Sequence, residues 1–199
     1  MKTIGITGGV GAGKSEVLRL LQEMCNCIIL KADELARSLE DKDEVCYGPL
    51  VDLLGGGILA EDGQIDPKKM AGVIFAEGGD ELRGKVNAIV HPAVKKRILE
   101  MISDAKRERK ADIFFIEAAL LIEDGYDKIV DEMWYVYADE AVRRKRLKDS
   151  RGYSDAKITE IMESQNSDEV FRRYCSVVID NSFGIEDTKR QLEGVLKDQ

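Results

Sequence analysis

The sequence predicts an α/β fold: a parallel five-stranded sheet in a three-layer arrangement, with a helical insert after the second strand and an arginine-rich one after the fourth. Five short apolar runs carry that reading: Thr3–Thr7, Cys27–Leu30, Ile113–Ile116, Met133–Tyr137 and Ser176–Ile179. Each has strand length, and most are continuous rather than alternating, as strands covered on both faces require. Helical or polar stretches separate the runs, the alternation expected of an α/β architecture. The first run passes through glycines into an amphipathic stretch, Glu16–Met24, making a β-loop-α start.

The loop after the first strand reads GGVGAGKS, Gly8–Ser15. It fits G-x-x-x-x-G-K-[ST] and lies between a strand and a helix, as a P-loop must. Glycines let the backbone curl so that N–H groups converge on phosphate oxygens. The dipole of the following helix adds positive potential. Gly9, Val10, Gly11, Ala12, Gly13, Lys14, Ser15 and Glu16 form the candidate ATP cradle. Lys14 would reach the β- and γ-phosphates, and the Ser15 hydroxyl would ligate Mg²⁺. The chain has no N-K-x-D guanine signature, which weakens a GTPase reading. Its size and its two inserts favour a kinase of the nucleoside-monophosphate type.

The second strand runs into Lys31-Ala32-Asp33. Asp33 stands where ligands bind in open α/β sheets. It is open to two readings, a base for an acceptor hydroxyl or an N-cap for the helix that follows. From about residue 36 to 110 the chain is mainly helical or loop, punctuated by Gly55-Gly56-Gly57 and Asp62-Gly63. His91 precedes Pro92 and reads by itself as a helix-boundary residue. After the third strand Glu117 is either a Mg²⁺-associated acid or a capping or solvated carboxylate. Glu123 would serve an acceptor pocket or end a helix. Trp134 and the tyrosines beside it read as core.

The fourth strand leads to RRKRLKDSR, with Arg143, Arg144, Lys145, Arg146, Lys148 and Arg151. Arginines closing over ATP would neutralise the charge spreading over the transferred phosphoryl; for at least half of these six cations a solvated helix face is the plainer reading. Arg143 and Arg146 share a helical face by their spacing. The expected organisation is a nucleotide-binding core of residues 1–35, 106–140 and 166–199, an acceptor subdomain over 36–105 and a lid over 141–165.

A net charge of −8 argues against nucleic acid or an anionic membrane as partner. No segment approaches the roughly 18 continuous apolar residues of a membrane span. The N-terminal segment lacks an apolar signal region, so a cytoplasmic protein is expected. The four cysteines, at 25, 27, 46 and 175, form neither a zinc pattern nor a disulfide framework and read as plain thiols.

Together these segments resemble the dephospho-coenzyme A kinase family over essentially the whole chain. The matching stretches are IGITGGVGAGKSEV, ADELAR, ILAEDGQID, IVHPAV, ALLIEDGYDKIVDEMWYV, RRKRL with RGYS, Gln165 and VVIDNS. The resemblance implies ATP-dependent phosphorylation of the ribose 3′-hydroxyl of dephospho-coenzyme A, by a monomer or small homo-oligomer. It gives Asp33 the base role, Lys14 and Ser15 the phosphate and Mg²⁺ contacts, and Arg146 the lid-arginine role. It puts Asn181 near the adenine of ATP. Arg37, His91, Glu117, Leu120 and Leu121 fall on the acceptor side. Several positions depart from the family pattern. Lys31 replaces the first Asp of D-x-D, and Glu117-Ala118-Ala119-Leu120-Leu121 replaces D-x-P-L-L. Ser150, followed by Arg151, and Phe171, followed by Arg172 and Arg173, stand where arginines are usual. These departures keep two alternatives open: a related P-loop small-molecule kinase, or a catalytically weak nucleotide- or coenzyme-A-binding regulator.

Overall fold

All five apolar runs are strands, β1 (Lys2–Thr7), β2 (Cys27–Lys31), β3 (Ile113–Glu117), β4 (Glu132–Tyr137) and β5 (Val177–Asp180), in one sheet ordered β2-β3-β1-β4-β5. The computed structural model describes residues 1–76, 79–118 and 120–197. The helices are α1 (Lys14–Met24), α2 (Ala32–Leu39), α3 (Tyr47–Leu54), α4 (Pro67–Ile74), α5 (Asp80–Glu108), α6 (Glu140–Arg151), α7 (Asp155–Glu163), α8 (Asp168–Tyr174) and α9 (Ile185–Lys197). The chain divides into two compact units, Met1–Leu30 with Ala105–Gln199, and Lys31–Asp104.

In the first unit β1 is central, parallel to β3 on one side and β4 on the other, and β4 is parallel to β5. Ile6 lies opposite both Glu117 and Trp134. Flanking strands on either side of β1 create a crevice at the carboxyl ends, where an α/β sheet binds ligands. Alternation along β1 sends Ile4 and Ile6 to one face. There they join Phe115, Trp134, Val136 and Ile179, with Val17, Leu18, Leu20 and Leu21 of α1 and Leu192 of α9, in one buried cluster. The Phe115 and Trp134 rings meet at 5.6 Å and 60°, within the favoured range for tilted aromatic pairs. The Trp134 indole N–H donates to Glu132 (3.1 Å), whose carboxylate also pairs with Lys2 (3.1 Å). Trp134 and Tyr135 are core, as expected; Tyr137 is half-buried, and its hydroxyl donates to Asp139 (2.7 Å). Leu21 is fully buried, so Leu21→Ala should cost about 2–5 kcal/mol. That loss reads as a lower urea midpoint at unchanged m-value.

In the second unit Asp66 caps α4, accepting from the Lys68 and Lys69 N–H groups at 2.8 and 3.2 Å with Pro67 at the helix start. Helix α5 runs on through Pro92, which corrects the expectation that His91 marks a helix boundary. Proline gives no N–H to the carbonyl of Ala88, a local loss. Val90, Val94, Ile98 and Ile102, one turn apart, are all buried, and that stripe holds the helix together across the break. All four cysteines are free thiols, and burial pushes those of Cys27 and Cys175 up to about 12. Among the described residues no helix is long and apolar enough to cross a membrane.

Candidate functional site

Residues Gly8–Ser15 join β1 to α1 and fold back on themselves, the Ala12 N–H donating to the Gly9 carbonyl (3.2 Å). Gly13 occupies the N-cap of α1 with φ 91° and ψ 30°. That left-handed conformation disfavours any side chain, and a Cβ there would also run into the Asn181 amide nitrogen. Lys14 bends back across the loop. Its Nζ donates to the Gly8 carbonyl (2.8 Å) and stands 3.8 Å from Glu117 Oε1 at the end of β3, both side chains being 16% exposed. Ser15 is exposed in the first turn of α1.

Side chains from far along the sequence hold this loop through its carbonyls. Arg143 Nε donates to the Val10 carbonyl (2.9 Å). Arg146 Nη1 donates to the Ala12 carbonyl (3.2 Å), and its Nη2 to that of Asn181 (2.8 Å). Asn181 Nδ2 donates to the Ala12 carbonyl as well (2.9 Å), and Asn181 Oδ1 accepts from the Thr188 hydroxyl (2.8 Å). A trans peptide sends its N–H opposite to its C=O, and among the described residues there is no cis bond. Anchoring the Val10 and Ala12 carbonyls therefore directs the Gly11 and Gly13 N–H groups away from the side chains that hold those carbonyls, leaving them available to an anion. Burial pulls the Arg143 guanidinium below its usual range, an effect opposed by Tyr135 and Glu140. An arginine keeps its charge regardless.

The structure thus brings together Gly9, Val10, Gly11, Ala12, Gly13, Lys14, Glu117, Arg143, Arg146 and Asn181. Arg143 and Arg146 do act from one helical face. Their neighbours take the solvated role: Arg144 pairs with Glu140 (2.7 Å) and Lys148 with Asp155 (2.7 Å). Several assignments change. Asn181 is 4% exposed, and both ends of its amide are committed within the protein, to the Ala12 carbonyl and the Thr188 hydroxyl. The Glu16 carboxylate is occupied by Arg19 (2.6 Å), whose hydrogen bond lowers its pKa. Leu121 is fully buried, close to Gly5 of β1, while Leu120 is 43% exposed; of the two, Leu120 has the access a ligand requires. Ala119 lies outside the described residues. Glu123 ends no helix; it lies in a turn and accepts from Asn166 Nδ2 (2.7 Å).

At the departures from the family pattern, Phe171 stacks on Tyr135 (4.7 Å, 16°). Beside it Arg172 lies over the Tyr137 ring (5.1 Å) and pairs with Asp168 (2.7 Å). The Ser150 hydroxyl donates to the Arg146 carbonyl (2.6 Å), and Arg151 lies 5.8 Å from the Tyr153 ring centre.

Asp33, Arg37 and His91 belong to the second unit. Helix α2 starts at Ala32, directly out of β2, so the cap position falls on Lys31, with an extended backbone and no side-chain cap. Asp33 is consequently not the N-cap. It is an exposed carboxylate in the first turn, favourably placed toward the helix dipole. Arg37, also exposed, follows one turn later on the same face. Lys31 pairs with Glu34 (2.8 Å). His91 is half-buried within α5.

Reading residues one by one missed Gln165. Its Oε1 accepts from the Val10 N–H (2.9 Å) and from Arg143 Nη2 (3.4 Å). A glutamine between two helices has the polarity of any loop residue; only the resemblance singled it out.

Among the described residues no group of three or more His, Cys, Asp or Glu could hold a metal. Ser15 and Glu117 still fit Mg²⁺, which binds through one or two protein oxygens and takes the rest from water and substrate phosphates.

A family model for dephospho-CoA kinase matches residues 2–187. A dephospho-CoA kinase of Carboxydothermus hydrogenoformans is 36% identical over 98% of this chain and 92% of its own length. One of Aquifex aeolicus is 35% identical, covering 100% of this chain and 97% of its own. A solved structure from Thermus thermophilus superposes with a TM-score of 0.80 at 27% identity, covering 99% of this chain and 97% of that one.

Proposed function

The chain belongs to the dephospho-coenzyme A kinase family and phosphorylates dephospho-coenzyme A in coenzyme A synthesis, and we propose that it does so by in-line transfer from ATP to the ribose 3′-hydroxyl. The observation that carries the residue assignments is the braced loop. Arg143, Arg146 and Asn181 hold the Val10 and Ala12 carbonyls, and Lys14 supplies a cation across the loop. Such a reaction asks the protein for positioning and charge stabilisation rather than covalent chemistry.

In this reading Lys14 and the loop N–H groups hold the β- and γ-phosphates. The Arg146 guanidinium, held by the Ala12 and Asn181 carbonyls, adds positive charge beside the loop that offsets charge on the transferred group, and Asp33 takes the acceptor proton. Arg37, His91 and Leu120 line the acceptor side. Ser15 and Glu117 would hold Mg²⁺, which neutralises charge on bridging phosphate oxygens when bound. Segment 141–165 acts as the lid, which keeps water from the γ-phosphate, and 36–105 is the acceptor subdomain. The free thiols suit a reducing compartment, and we assign the protein to the cytoplasm, as a monomer or small homo-oligomer.

The family match favours this activity over another acceptor or a regulator without catalysis. The deciding measurement is coupled ADP release from Mg-ATP with dephospho-coenzyme A, compared with nucleoside monophosphates, sugars and no acceptor. Release should depend on dephospho-coenzyme A. Release no faster than without acceptor would overturn the activity, and faster release with another acceptor would overturn the substrate.

A further inference from the structure

We propose that Gln165 is a positioning residue that presets the phosphate loop for ATP by holding the Val10 peptide and Arg143 together; this rests on the kinase reading above. Gln165 lies in the short linker between α7 and α8, 155 positions from Val10. Both of its partners, the Val10 N–H and the Arg143 guanidinium, are donors. That fixes which end of the amide faces them, because only the carbonyl oxygen accepts.

The three groups close a ring. Arg143 Nε donates to the Val10 carbonyl (2.9 Å), Arg143 Nη2 to Gln165 (3.4 Å), and the Val10 N–H to Gln165 (2.9 Å). Val10 is therefore gripped through both its N–H and its C=O. Each grip sets a neighbouring peptide. With the Val10 N–H held toward Gln165, the Gly9 carbonyl points the opposite way, where it accepts from the Ala12 N–H (3.2 Å). With the Val10 carbonyl held by Arg143, the Gly11 N–H turns away from that side. The same guanidinium lies so close to Gly9 that a Cβ there would collide with it. Gln165 thus limits where Arg143 rests as well as which way the loop peptides face.

The linker is built to hold such a strut. The Gln165 N–H donates to the Met162 carbonyl (3.3 Å), Asn166 Nδ2 donates to Glu123 (2.7 Å), and the Ser167 hydroxyl accepts from the Val170 N–H (3.4 Å) at the start of α8. With the backbone pinned on both sides, the Gln165 side chain spends little conformational freedom in reaching the loop. A preset loop lowers the cost of binding phosphate.

The test compares Gln165→Met, which keeps the length and removes the acceptor, with Gln165→Glu, which keeps an acceptor oxygen. Binding of a non-hydrolysable ATP analogue with Mg²⁺ is measured alongside steady-state kinetics and Tm. Gln165→Met should weaken analogue binding and raise KM for ATP about tenfold, the scale of a lost charge-assisted hydrogen bond. KM for dephospho-coenzyme A and Tm should stay near wild type, and Gln165→Glu should recover most of the affinity. Wild-type affinity in Gln165→Met overturns the proposal, as does equal loss in both variants, or a loss accompanied by a fall in Tm. If Gln165→Met does not fold, Gln165→Asn, too short to reach both donors, replaces it under the same criteria. Failure of the kinase reading is separable: wild-type protein would then release no ADP with dephospho-coenzyme A, while analogue binding still reports on Gln165.

Discussion

Lys14→Ala is expected to lower kcat/KM for ATP by about 10²–10³, the range for removing one preorganised group that stabilises developing charge. The Lys14 ammonium is held by the Gly8 carbonyl (2.8 Å) and faces Glu117 (3.8 Å) with little exposure. Its place across the loop is therefore set by contacts within the protein. Alanine removes the charge from a site where the loop N–H groups supply only dipoles, so the loss should fall on ATP and on turnover, with KM for dephospho-coenzyme A little changed. Lys14→Arg should not restore activity, because a planar fork does not replace a compact ammonium with rotatable donors. The fold should survive, since Lys14 lies outside the buried cluster that joins α1 to the sheet. Steady-state kinetics with a urea midpoint as control checks this, and near-normal turnover from Lys14→Ala would remove the loop's lysine from the mechanism.

What could be read from sequence was what local pattern determines. Continuous apolar runs located every strand, because a sheet covered on both faces demands them. Gly8–Ser15 announced its conformation, because few residues other than glycine tolerate the Gly13 backbone. The bracing of that loop was a different matter. Whether Arg143 meets solvent or Val10 depends on how α6 docks, and spacing says only that Arg143 and Arg146 face the same way. Asn181 and Gln165 grip residues more than 150 positions away, and nothing local distinguishes a bracing amide from an exposed one. Leu120 and Leu121 are adjacent and chemically identical, yet one is 43% exposed and the other fully buried. The N-cap reading of Asp33 failed because α2 follows β2 without a linking residue, a boundary shift of two positions that propensity does not resolve. His91 was misplaced for a similar reason: proline usually ends a helix, but the buried stripe of α5 overrides it.

Asp33→Asn is the second large effect, a fall in kcat of about 10²–10⁴, the usual share of a positioned general base. Asparagine nearly matches aspartate in shape but cannot take up the acceptor proton, which makes the variant a test of chemistry rather than packing. Because Asp33 is not the cap of α2, the substitution breaks no capping hydrogen bond. It removes one of two first-turn carboxylates, and Glu34 remains. Helix content and urea midpoint should therefore move little, as for most exposed substitutions. In the proposed assignment the ATP side is made by Gly8–Ser15, Glu117, Arg143, Arg146, Gln165 and Asn181 and not by Asp33, so affinity for an ATP analogue should be unchanged. Lys31, standing where the family pattern has an acid, is tied to Glu34 on the same helix (2.8 Å). An exposed pair of this kind is weak, so Lys31→Asp should change kcat far less than Asp33→Asn does. A fall in kcat at constant analogue affinity makes Asp33 the base. Unchanged turnover would leave it a first-turn carboxylate of α2 and send the search for the proton acceptor elsewhere.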